Sequence, residues 1–246
     1  MAIDNGDFVR VNFTGKIIDT DEVFDTTFEE VAQEAGIFEE NKTYKAIPIV
    51  VGGNHLLPAI EEAITGLNAG DKKTVEVKSD DAFGPRDPKN IQLVPMKEFK
   101  KQGMTPVPGM RISAGEGTGK ILTVNGGRVK VDFNHELAGK DLVYDVEVTE
   151  IIDNEEDKIK SMIELHYSNP NVDIDKTEID IADGVASIKL DQLARFDQKS
   201  YMDITFARFR IAKDIWENIE EIDKVNFVDE FEKNEESEEE MKNNLL

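Results

Sequence analysis

The sequence predicts an α+β chain: an antiparallel sheet wrapped on one short helix, interrupted by a small inserted β domain and followed by a C-terminal α+β domain. Three observations carry this. Leu142 to Thr149 alternates strictly, with Leu142, Tyr144, Val146 and Val148 on one face, and only the residues before Asp80 offer it a sheet. Between Pro88 and Phe133 the texture changes to prolines, glycines and short strand-like pieces. Beyond Asp153 a helical stripe appears, running through Ile204, Ala207, Ile211, Ile215 and Ile219. The expected domains are 1–86 with 134–152, an insertion at 87–133, a C-terminal unit at 153–233, and an acidic disordered tail at 234–246.

Val9 to Thr14 alternates as a half-buried strand, Val23-Phe24-Asp25 resumes after an acidic turn, and Ile47 to Val51 is a third strand ended by Gly52-Gly53. Leu57 to Leu67 reads as a short helix. Pro58 suits a first turn, where its missing N–H would be unpaired anyway, and Glu61 and Glu62 suit the positive end. Gly66-Leu67 reads as a left-handed stop with an apolar staple, and Lys73 to Val77 as the next strand. In the insertion, Arg111 to Ala114, Lys120 to Val124 and Arg128 to Phe133 are strands, the last two joined through Asn125-Gly126-Gly127. Asp153 to Asp157 reads as an acidic linker, Lys158 to Tyr167 as a helix, and Glu178 to Ile181 and Ala186 to Leu190 as a hairpin. Tyr201 to Ile219 is a longer helix, and Val225 to Phe231 a closing strand.

Composition narrows the function classes. The net charge of −23, from 29 basic and 52 acidic residues, opposes nucleic acid and anionic membranes as partners. There is no cysteine, hence no disulfide or thiolate site, and the expected location is the cytoplasm. No secretory leader and no apolar run long enough to span a bilayer is visible. The 3 histidines, His55, His135 and His166, lack ligand spacing, and Asp19, Asp21 and Glu22 lack a calcium-loop pattern, so no metal or cofactor is expected. Gly115, Gly117 and Gly119 are followed by neither the Lys-Ser/Thr nor the helix of a phosphate loop, and a hairpin is the better reading.

What remains is a set of apolar residues around one acid, and here the chain resembles a known family. Val9 to Gly15, Val23-Phe24-Asp25 and Ile47 to Gly52 are similar to the opening of the FKBP-type prolyl isomerases. Leu56 to Ala63 with Gly66-Leu67 and Gly70-Asp71 resembles their single helix, Asp81-Ala82-Phe83-Gly84 the start of their flap, and Leu142 to Val148 their closing strand. Asn134 to Lys140 resembles the return from the insert of the SlyD-type subgroup, whose flap carries an extra domain. The C-terminal domain lies outside that match, as in a long archaeal type.

The resemblance implies a peptidyl-prolyl cis-trans isomerase and folding chaperone acting on unfolded or partly folded polypeptides that contain proline. It places Phe24, Ile47, Ile49, Leu56, Leu57, Ile60, Phe83 and Tyr144 around the proline ring, with Asp25 as the polar group and the Leu57 N–H holding a substrate carbonyl, and it counts Phe13, at the position of a Tyr that would orient the acid, among the substrate-binding residues. Many members have Trp where this chain has Ile60, and Tyr where it has Phe83 and Phe13, which implies weaker macrolide binding and lower turnover. The alternative is a client-binding chaperone that keeps the fold without useful catalysis. In the insertion, Met96, Met104 and Met110 lie near Phe99; composition leaves core filling and a client surface equally open, and the resemblance implies client capture. The last helix adds Met202, Phe206, Phe209 and Trp216 to its stripe, read as a homodimer interface, a client site, or both.

Overall fold

A computed structural model describes residues 2–114, 117–167, 169, 172–197 and 199–230. The tail expected over 234–246, and Gly115, lie outside these residues. Strand β1 (Phe8–Ile17) is the axis of the first sheet. Its other edge is shared by β2 (Val23–Thr26) and β3 (Ile47–Val50), which pair with the C-terminal and N-terminal parts of β1. Helix α1 (Glu29–Glu34), which the sequence reading did not foresee, lies between those two strands. Its 6 residues bury little besides Ala32, so no apolar period advertises it. Helix α2 (Pro58–Ile64) follows, capped by Leu57 and stopped before Gly66, whose φ of 84° is the left-handed geometry foreseen. Strand β4 (Lys72–Val77) comes next in the chain.

The insertion is a four-stranded antiparallel sheet of β5 (Ile91–Pro95), β6 (Arg111–Ala114), β7 (Gly117–Asn125) and β8 (Arg128–Asp132), ordered β5-β8-β7-β6, with helix α3 (Met96–Lys101) after β5. Strand β5 and α3 were not expected, because Pro95 reads as a breaker. It is the junction residue instead, ending β5 and capping α3. Asn125 faces Arg128 in register, so Gly126 and Gly127, at φ 56° and 77°, make the two-residue turn that the sequence announced. Strand β9 (Leu142–Ile152) then returns to lie antiparallel along β1, with β4 on its far side, completing five strands.

The C-terminal part comprises α4 (Glu155–His166), β10 (Glu178–Ala182), β11 (Val185–Lys189), α5 (Tyr201–Asn218) and β12 (Lys224–Phe227). Strands β10 and β11 form the expected hairpin, and β12 runs parallel to β11. The acidic stretch read as a linker is corrected: Glu155 to Asp157 form the first turn of α4. The Asn154 side chain accepts the Asp157 N–H at 2.8 Å, and the carboxylates sit at the positive end of the helix.

The sheet has two working faces. Val9, Val11 and Phe13 of β1 enter one core with Ile60 and Ile64 of α2 and the alternating residues of β9. Phe8, with Val50 and Ile152, joins instead the core built from α4, α5 and β11. Across the same seam, the Glu164 carboxylate accepts from Arg10 at 3.0 Å and pairs with Lys45 at 2.7 Å. The C-terminal unit is thus packed into the first sheet, not tethered to it. A third, separate core in the insertion holds Phe99, Ile112, Ile121, Val129 and Val131.

Candidate functional site

The residues expected around a proline ring come from distant parts of the sequence, and most of them meet in the core of the first sheet. Phe24 meets Tyr144 edge-on, with ring centroids 5.6 Å apart and planes at 83°, and Phe13 lies behind at 6.1 Å from Tyr144. Gly15 makes this possible: a Cβ there would stand 2.5 Å from Phe24 Cζ and 3.0 Å from Tyr144 Cε1. Ile49 and Ile60 are buried beneath, while Ile47, Leu56 and Leu57 pack against the same core half-buried. Thr26 and Thr27 pin the strand that carries Phe24 and Asp25. Thr27 N–H donates to the Phe13 carbonyl at 3.0 Å, and Phe13 N–H donates to Thr27 Oγ1 at 3.0 Å.

Asp25 Oδ1 accepts the Thr26 N–H at 2.9 Å and bonds Lys42 Nζ at 2.6 Å. Lys42 was not foreseen, since it stands on a loop 17 positions away with no motif to mark it. The Tyr144 phenol is pushed up to about 12 from an ordinary 10.0, first by burial and then by the Asp25 charge. An unfolded phenol ionises near 10 and the folded one near 12, so stability is lost as pH rises through this window. Tyr144→Phe is therefore expected to lessen alkaline unfolding, and to remove one late phenol from an absorbance titration. An unchanged titration would place that phenol in water.

The loop that carries Leu56 and Leu57 hangs on one carboxylate. Glu61, only 4% exposed, accepts the N–H groups of Gly52 at 2.9 Å, Asn54 at 3.2 Å and Leu56 at 2.8 Å. Sequence reasoning gave Glu61 only a helix-end role. Leu57, as the cap of α2, has an N–H with no acceptor among the described residues. Phe83 lies outside the three cores and is exposed, its ring stacked on His135. A recess of about 1170 Å³ between the first sheet and α4 shares Lys42 and Ile47 with this region.

Elsewhere the expectations need correction. Phe99, expected at a client surface, is a core residue at 4% exposure, and Met96, Met104 and Met110 are half-buried against that core. A unit this small needs them inside. The exposed large apolar residues of the insertion are Leu93 and Val107. His55 and His166, distant in the sequence, come within electrostatic reach of one another. His166 Nε2 lies 2.5 Å from Asp214 Oδ2, and His55 feels both groups, although burial dominates and lowers its pKa. Among the described residues no group of histidines and carboxylates could hold a metal, and no helix is long and apolar enough to cross a membrane.

Phe24, Ile47, Ile49, Leu56, Leu57, Ile60 and Tyr144 thus share one apolar core, and Asp25 stands near enough to act on the Tyr144 phenol. Comparison with known proteins makes the class specific. Residues 92–137 match the family described as the FKBP26 IF domain, and residues 155–232 that of the FKBP26 C-terminal. The short-type peptidyl-prolyl cis-trans isomerase of Methanocaldococcus jannaschii is 37% identical over 150 residues, covering 61% of this chain and 94% of that protein. The FKBP-type 16 kDa isomerase of Escherichia coli is 37% identical over 105 residues, 41% of this chain and 70% of its own. The FKBP-type isomerase SlyD of Vibrio cholerae is 36% identical over 132 residues, 51% and 65% respectively. The chain belongs to the FKBP-type peptidyl-prolyl cis-trans isomerases, in the form with an insert-in-flap domain and an additional C-terminal domain, and is an enzyme of that class.

Proposed function

We propose that this isomerase is also a chaperone: it holds unfolded or partly folded clients on its insertion and turns their X–Pro bonds in the recess at Phe24 and Tyr144. Rotation about an X–Pro bond faces a barrier of roughly 18–20 kcal/mol, because the amide loses conjugation as it twists. The twisted amide has a smaller dipole than the planar one, so an apolar recess favours it over the ground state. Phe24, Ile60 and Tyr144 seat the proline ring, with Ile47, Ile49 and Leu56 around it and Phe83 as the flap. The Leu57 N–H donates to the carbonyl that follows the turn, and Asp25, steadied by Lys42, faces the twisting amide.

The meeting of Ile47, Ile49, Leu56, Leu57 and Ile60 with the edge-on Phe24–Tyr144 pair in one core carries this reading. Client holding is supported by the exposed Leu93 and Val107 on a unit whose core is separate from the pocket's. Capture there would raise the local concentration of client prolines at the recess.

A proline-limited refolding assay tests both parts. Asp25→Ala is expected to slow isomerisation of a short peptide and of a protein alike. Removing residues 88–133 is expected to leave peptide turnover near wild type and to slow protein refolding about a hundredfold. The excision is tolerable because Gly139 N–H bonds the Gly84 carbonyl at 2.8 Å, closing the base of the insertion. A wild-type chain that accelerates neither reaction would instead be a non-catalytic client holder.

The outer face of α5 exposes Phe206 and Phe209 at 54% and 59%, beside Met202 and Trp216. We assign it to a second copy of the chain. Residues 154–246 cannot simply be deleted to test this, because Phe8, Val50 and Ile152 would lose their cover. The full chain carrying Phe206→Glu and Phe209→Glu is expected to scatter light as a monomer. An unchanged mass would remove this face from any dimer, and lost client holding would assign it to clients.

A further inference from the structure

We propose that His135 is the positioning residue of the flap, and that its imidazole plane sets the Phe83 ring against the substrate proline. The two rings are parallel within 3° and their centroids are 4.3 Å apart. Phe83 has no hydroxyl through which a hydrogen bond could orient it, and it belongs to none of the three apolar cores. Left alone, an exposed phenyl would sample several rotamers and lose that freedom on each binding event. The stack supplies the lateral support that the fold otherwise withholds.

His135 is itself held firmly. Its Nδ1 accepts the Leu137 N–H at 3.2 Å and its carbonyl accepts the Ala138 N–H at 3.0 Å, which locks the ring into a turn. The flanking residues tie the two crossings of the insertion together. Asn134 Nδ2 donates to the Asp87 carbonyl at 3.0 Å, Asp87 N–H donates to Asn134 Oδ1 at 2.9 Å, and Arg86 pairs with Asp132. The flap ring is therefore referenced to the turn that returns from the insertion, which the Asp87–Asn134 pair holds from outside the inserted sheet. This rests on Phe83 being a wall of the substrate recess, as proposed above.

Two substitutions separate the stack from the turn. H135N keeps an oxygen where Nδ1 accepts the Leu137 N–H but has no ring; H135F keeps a ring but has no acceptor. With a proline tetrapeptide, H135N is expected to raise KM about two- to tenfold, the range an aromatic pair supplies, at unchanged kcat. H135F is expected to stay within about twofold of wild type, as the rescuing variant. Phe83 ring protons should lie upfield in the wild type and in H135F, and move downfield in H135N. The opposite order, H135F impaired and H135N normal, would overturn the proposal by assigning His135 to the turn alone. F83L serves as the control on the underlying reading. If F83L leaves KM unchanged, Phe83 is not a pocket wall and the proposal falls with it. If F83L raises KM but H135N does not, only the proposal falls. Should H135N lower the thermal midpoint, the F83L/H135N double variant decides: a loss no greater than that of F83L alone supports coupling through Phe83, and an additive loss refutes it.

Discussion

Glu61→Ala is expected to destabilise the chain by about 3 kcal/mol or more and to lower kcat/KM for proline peptides at least about tenfold. The carboxylate is buried and accepts three backbone N–H groups of the loop from Gly52 to Leu56. Hydrogen bonds to a charged acceptor are about twice as strong as neutral ones, and alanine leaves those donors without a partner. The loop holds Asn54 at φ 59° and Gly52 at φ 85°, conformations that have little reason to persist once the acceptor is gone. Leu56 and the Leu57 N–H move with it, so binding and orientation fail together. Glu61→Gln retains one good acceptor and presents an amide donor to a donor, so it should fall between. Urea unfolding and peptide turnover measure the two effects. A loss below about 1 kcal/mol with normal turnover would mean that the loop keeps its shape without Glu61.

Gly15→Ala is expected to lower kcat/KM about tenfold or more, with a stability loss of about 1–3 kcal/mol from overpacking. Gly15 lies in β1 and has no left-handed backbone, so alanine introduces no conformational strain there. The damage is steric. The new methyl would occupy space within 2.5 Å of Phe24 Cζ, between that ring and Tyr144, and one of them must yield. Phe24 is half-buried at the rim and has the freer path, so the edge-on contact opens and the recess loses a wall. Phe24→Leu in the Gly15→Ala background should restore stability without restoring turnover. Recovery of both would show that the Phe24 ring is dispensable to catalysis, and retention of turnover by Gly15→Ala alone would refute the crowding argument.

Much of this site was legible because its parts are local patterns. The alternation from Leu142 to Val148 placed Tyr144 on the core face, where it is found buried. Pro58 and Gly66 bounded α2, and so fixed which turn carries Leu56 and Leu57. The Asn125-Gly126-Gly127 turn was legible for the same reason, since few residues tolerate its positive φ values. Helices α1 and α3 were not, because a helix of 6 residues is too short for an apolar stripe to repeat. The first turn of α4 was misread because a run of acids suits both a solvated linker and a helix N-terminus.

The amino-acid sequence by itself determined the family, the period of each long strand and the punctuation of α2, and it singled out Phe24, Ile49, Ile60 and Tyr144, which share one core. Only the tertiary structure decided that Lys42 reaches Asp25, that Glu61 gathers a loop, that Phe99 is core, and that Phe8 and Arg10 belong to the seam with α4. The reason is one of range. Backbone periodicity and caps act over a few residues and leave a local signature, whereas a side-chain pair such as Arg10 with Glu164, 154 positions apart, exists only once the topology has brought two strands and a helix together. Phe83 and His135 sit at that limit too: the resemblance marked Phe83 as a flap residue and gave its partner His135 no role, and only the closure of the insertion lays one ring upon the other.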